Sequence, residues 1–80
     1  MIVSDLMIDV ELDCRGMFRP VPIVQLKKVT KNMQPVQLIR LVATEPGSRR
    51  DIPVWAEKTW NEILNSSEEG NEFTCIIKVS

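Results

Sequence analysis

Apolar and polar residues alternate from Met7 to Leu12, with Ile8, Val10 and Leu12 on one side and Asp9 and Glu11 on the other. A period of two predicts a strand with one buried face. From Pro22 the period lengthens. Pro22, Leu26, Val29 and Met33 recur at three or four residues with Ile23 beside them, while Lys27, Lys28 and Lys31 fall on the opposite side. This spacing predicts an amphipathic helix of about three turns with proline in its first turn. Gln34-Pro35 ends it, and Val36 to Thr44 is β-branched and aliphatic, with Ile39, Leu41 and Ala43 on one face.

Glu45-Pro46-Gly47 reads as a turn, and Ser48 followed by Asp51 fits a capping box opening a second helix through Trp55 and Ala56. Pro53 sits deep for that start, so Asp51 is the alternative N-cap. Ile52, Trp55 and Thr59 then share the core side. Asn61 to Ser67 and Glu72 to Val79, joined around Glu69-Gly70-Asn71, read as a hairpin whose second strand turns Phe73, Cys75, Ile77 and Val79 inward. The order is βαβαββ. Strand, helix and strand within about 30 residues make a βαβ unit with parallel strands. The expected fold is α/β (α+β): a two-layer sandwich with a four-stranded mixed sheet and two helices on one face.

Eighty residues, 44% apolar and 26% charged, fit one domain over 1–80 and leave no room for a second. No run approaches the roughly 20 apolar residues of a membrane span, and no signal-peptide pattern is present, so the expected location is cytoplasmic. With no histidine and two cysteines some sixty residues apart, neither a zinc site, a CxxC redox pair nor histidine base catalysis is expected, and no cofactor is implied. The net charge of −1 conceals an asymmetry. Arg15 to Thr44 contains Arg15, Arg19, Lys27, Lys28, Lys31 and Arg40 and no carboxylate, with Arg49 and Arg50 following, whereas the last twenty residues are acidic. Such a stretch is either a solvated face or a partner-binding one. No aromatic residue stands beside the lysines, so nucleic acid is expected to bind weakly, if at all.

The stretches Leu12-Asp13-Cys14-Arg15-Gly16-Met17, Pro20-Val21-Pro22 and Ala43 to Ala56 resemble the signature stretches of the TusA/SirA family of small sulfur carriers, in order and spacing. The resemblance spans nearly the whole chain. It implies a βαβαββ sandwich carrying persulfide sulfur on a cysteine in a Cys-Pro-x-Pro motif. Such a carrier takes sulfur from a cysteine desulfurase-like donor and passes it to an acceptor protein. A thiolate at a helix N-terminus is stabilised by free N–H groups and the positive end of the dipole. Here the motif reads Arg19-Pro20-Val21-Pro22, so the helix start is kept and the nucleophile is not.

Three readings of Arg19 follow. The domain has become a non-catalytic anion- or protein-binding module; or Cys14 substitutes as nucleophile, although its parity with Val10 and Leu12 turns it toward the core; or a single-base codon change separates this sequence from a carrier. Sulfurtransferase activity is thus left open. Arg15 and Arg19 at a helix N-terminus suggest an anion or partner site, which Arg49, Arg50, Lys27 and Lys28 would extend. The resemblance also implies glycine, in many members, where this chain has Val36 and Trp60. Both are expected to be left-handed C′ positions, so the turns are expected to differ here. Finally, Leu38, Val42 and Ile76 lie on the sheet face without helices, predicting an exposed apolar strip and a monomer or weak dimer.

Overall fold

A computed structural model describes residues 7–80. Strand β1 spans Val10–Cys14, helix α1 Val21–Thr30, strand β2 Leu38–Ala43, helix α2 Ser48–Lys58, and the β3–β4 hairpin Glu62–Glu69 and Glu72–Lys78. The sheet order is β1-β2-β4-β3, with β1 and β2 parallel and the other pairs antiparallel. The expected α+β sandwich with a mixed four-stranded sheet is therefore present. The first strand starts three residues later than its alternation suggested, but its parity is as expected, and it runs on to Cys14.

One face of the sheet contributes Cys14, Ile39, Leu41, Ala43, Phe73, Cys75, Ile77 and Val79 to the core, and the helices cover it with Leu26, Ile52, Trp55 and Ala56. Burying an aliphatic side chain of this size contributes about 1.5–3 kcal/mol, so this layer supplies the main cohesion of the fold. Each helix begins where a sheet strand ends and finishes before the next strand begins. Both N-termini therefore lie at one end of the sandwich, with the C-terminal ends of β1 and β2 and the β3–β4 turn, and both helix C-termini lie at the other.

Four sequence expectations need correction. Neither Ser48 nor Asp51 caps α2: Gly47 occupies the N-cap without a side-chain bond, and Ser48 is buried. The helix consequently starts early enough to place Pro53 in its interior, where the Arg49 carbonyl loses its usual donor. Thr59 is the C-cap and is exposed, its hydroxyl donating to the Trp55 carbonyl at 2.7 Å. The strip on the helix-free face is not exposed either. Ile76 is only 2% accessible and lies between Arg40 and Asn65 in the register, with the Arg40–Glu11 and Lys78–Glu62 ion pairs on the same face. Leu38 is 9% accessible as well, and only Val42 of the three is half-buried.

The fourth correction concerns Val36 and Trp60. Both do adopt left-handed backbone, φ 63° and 64°, so the turns are retained and the side chains are accommodated in them. Trp60 closes α2 in a Schellman arrangement: its N–H donates to the Glu57 carbonyl (3.3 Å) and that of Asn61 to the Ala56 carbonyl (2.9 Å). Val36 is not a helix C′ residue. It follows Pro35 in a turn closed by the Gln37 N–H on the Gln34 carbonyl (3.3 Å), the pattern of a type II turn whose third residue needs positive φ. An L-residue in this region costs about 1–2 kcal/mol, and neither side chain recovers it by burial.

Candidate functional site

The end of the sandwich that holds both helix N-termini also holds Arg19. Its main chain leads directly into α1 through Pro20, the N-cap residue. Its side chain crosses to the other helix, where Nε lies 2.8 Å from Asp51 Oδ2 and a terminal nitrogen donates to Oδ1 at 3.3 Å. Gly47 makes that crossing possible. A Cβ there would sit 2.6 Å from Arg19 Cδ and 2.8 Å from Glu45 Oε2, so only a residue without a side chain lets arginine and Glu45 share the space over the start of α2.

The neighbouring cations are similarly matched. Arg15 lies 2.9 Å from Asp13 and 3.7 Å from Glu72, and Arg49 lies 2.7 Å from Glu68. The Arg15 guanidinium and, secondarily, the Arg15 main-chain N–H donate to Asp13 and hold its carboxyl at about 2, well below the usual carboxylate range. Arg50 has no ion-pair partner among the described residues, nor do Lys27 and Lys28. A shallow depression of ≈ 540 Å³ brings together Arg19, Arg49 and Arg50 with Gly47 and Asp51. Arg15 does not line it. Lys27 lies instead in the groove between the helices, where it meets Arg50, Ile23, Val54, Trp55 and Lys58. Lys28 lines neither.

The helix start itself has few free donors. Pro20 and Pro22 carry no N–H, and the Val21 N–H donates to the Phe18 carbonyl at 2.8 Å. The positive end of α1 is thus weaker as an anion site than an ordinary helix start, and the arginines beside it are already balanced by carboxylates.

No thiol takes the place of Arg19. Cys14 and Cys75 are each 1% accessible and unbridged, and both face the core between sheet and helices. Burial, reinforced by the neighbouring Asp13 charge, raises the Cys14 thiol above its ordinary pKa. Burial pushes Cys75 up to about 12, with Cys14 adding to the shift. A thiol in that state is a poor nucleophile at neutral pH. Among the described residues no cluster of His, Cys, Asp and Glu could hold a metal ion, and no helix is long and apolar enough to cross a membrane.

Residues 10–79 match the family model described as sulfurtransferase TusA. The chain belongs to the TusA family. Among its relatives, the sulfur carrier protein TusA of Allochromatium vinosum is 42% identical over 72 residues, covering 90% of this chain and 95% of that protein. The sulfur carrier protein TusA of Pseudomonas syringae pv. syringae is 33% identical over 79 residues, covering 98% and 94%. The crystal structure of a SirA-like protein from Desulfitobacterium hafniense superposes with a TM-score of 0.71 over 89% of this chain and 97% of that one. At 18% identity it bears on the fold alone.

Two residues of this TusA-family site escaped the sequence reading. Asp51 looked like a helix cap, and nothing along the chain pairs it with a residue 32 positions earlier. Phe18, 80% exposed beside Arg19, breaks no pattern in a loop that has none.

Proposed function

We propose that this chain is a protein-docking module of the TusA family that engages the protein partners of a sulfur relay without itself carrying sulfur. The observation that carries the reading is the pair formed by Arg19 and Asp51 at the position that the family resemblance assigns to the reactive cysteine. A relay through this chain would have to use Cys14 or Cys75, and both would first need to leave the core.

What remains at this end is a surface suited to recognition. Exposed Phe18 supplies an apolar contact, and Arg50 supplies a cation without an internal partner among the described residues. Arg49 holds Glu68 in an exposed pair and Arg19 faces solvent over a half-buried Asp51, so a partner carboxylate can exchange with Glu68 at small cost and approach Arg19 from its open side.

Competition tests this. Sulfur loading of the Allochromatium vinosum relative by a cysteine desulfurase is followed with increasing amounts of this chain. Loading should slow in proportion to the competitor, and Arg50→Glu should weaken the effect. Unimpeded loading at a large excess of the chain would remove the docking role.

A further inference from the structure

The groove between the two helices combines an apolar lining, a surplus of cations and a buried donor without an acceptor. Its volume is ≈ 530 Å³, within the range of about 300–1,000 Å³ usual for small-molecule sites. Ile23 from α1 and Val54 and Trp55 from α2 give it apolar surface, and Lys27, Arg50 and Lys58 line it as well.

The charge around the groove is positive however far the count is carried. Three cations line it against one carboxylate, Asp51, which already holds Arg19 at 2.8 Å. Lys27, Arg50 and Lys58 have no ion-pair partner among the described residues. Adding Arg19, and Glu57 beside Lys58, leaves four cations against two carboxylates. Of the other charges on the two helices, Lys28 and the C-cap Lys31 are positive too, and Arg49 is balanced by Glu68. Cations gathered beside apolar surface favour a ligand that is negative at one point and apolar over the rest.

Trp55 points to the same ligand independently. It is 6% accessible, and its indole N–H is buried with no acceptor. Buried donors are paired in most folded proteins, and the indole nitrogen can only donate. The lining side chains that could accept are both committed. The Thr59 hydroxyl donates to the Trp55 carbonyl at 2.7 Å and accepts from Asn61 at 2.9 Å, and both Asp51 oxygens face Arg19. An acceptor for this N–H has to come from outside the chain.

We propose that the inter-helix groove binds a small amphiphilic carboxylate, whose apolar body lies against Ile23, Val54 and the Trp55 ring and whose charge meets Lys27, Arg50 and Lys58. A carboxylate oxygen accepts the Trp55 N–H. Because that N–H is closed to solvent in the free chain, the bond forms as a lining side chain moves aside. The site does not depend on protein docking at the Arg19 end, although Arg50 is common to both.

The test titrates the ¹⁵N-labelled full chain with octanoate, with inorganic phosphate and with octyltrimethylammonium, so that charge and apolar body are varied separately. Octanoate should bind saturably, shift the amides of Ile23, Lys27, Arg50, Val54 and Lys58, and move the Trp55 indole N–H downfield while the Trp60 indole stays in place. Lys58→Glu should weaken binding by about threefold or more, and Trp55→Phe, which keeps an aromatic ring and removes the N–H, by about fivefold or more. Absence of saturable shifts, shifts centred elsewhere, equal binding of either control, or full affinity in Lys58→Glu would each overturn the proposal. So would full affinity in Trp55→Phe once its amide spectrum shows it folded. A helical glutamate–leucine peptide that shifts the groove residues when octanoate does not would assign the groove to a protein partner instead.

Discussion

Replacing Val36 by glycine removes a side chain and should nevertheless make the protein more stable. With φ at 63°, a β-branched residue at this position carries about 1–2 kcal/mol of conformational cost that glycine does not. Against that, the freer unfolded chain of glycine takes back about 0.5–1 kcal/mol. The side chain is 69% exposed, so little burial is lost, and the N–H bond to Val79 is kept because it belongs to the backbone. The net gain is about 0.5–1 kcal/mol, a rise of about 2–8 °C in Tm for a domain of this size. Thermal unfolding by circular dichroism, with urea melts for ΔG, measures it. Alanine is the control, because it keeps the Cβ responsible for the strain. Val36→Gly should exceed Val36→Ala, the reverse of their order in regular structure. If alanine stabilises as much as glycine, the cost lies in the valine methyls and the backbone argument is wrong.

Three other outcomes follow from the same structure. Asp13 titrates near 2 in the folded chain, below the ordinary carboxylate value, so its contribution to stability is present above about pH 3.9 and is lost as the pH falls toward 2. Arg15→Ala should return its carboxyl toward the ordinary range, as read from the Asp13 ¹³Cγ shift against pH. A thiol reagent at pH 8 should leave Cys14 and Cys75 untouched in the native protein and modify both in denaturant; rapid native modification would show that the core opens readily. Gly47→Ala should push Arg19 off Asp51, because the new Cβ would lie 2.6 Å from Arg19 Cδ, and the slowly exchanging Arg19 Nε–H resonance should disappear. Since Arg19 is open to solvent and Asp51 half-buried, loss of the pair itself should lower stability by about 1 kcal/mol or less.

The fold was legible in the sequence wherever burial sets the period. Ile39, Leu41 and Ala43, or Phe73, Cys75 and Ile77, alternate because one sheet face is covered, and Leu26 recurs with Pro22 because one side of α1 is. Legibility failed where the deciding contact is distant along the chain. Ser48 and Asp51 have the chemistry of caps, yet Ser48 is drawn into the core and Asp51 is taken by Arg19. Ile76 shares its strand face with Thr74 and Lys78 but is covered because it occupies an inner strand, β4, between Arg40 and Asn65. The cluster of positive charge was visible, but its neutralisation by Asp51, Glu68 and Glu72 was not, since those carboxylates arrive from other elements; Asp13, two residues from Arg15, is the local exception. Positive φ at Val36 and Trp60 was foreseeable only by comparison with residues expected elsewhere in the family, because neither side chain announces it.

The proposed docking role requires that neither Cys14 nor Cys75 carries sulfur. Intact-mass spectrometry after incubation with a cysteine desulfurase and cysteine, without reductant, tests it most directly. The mass should be unchanged, while an Arg19→Cys variant under the same conditions should gain one sulfur atom. Gain of a sulfur atom by the unaltered chain, mapped to Cys14 or Cys75, would contradict the account.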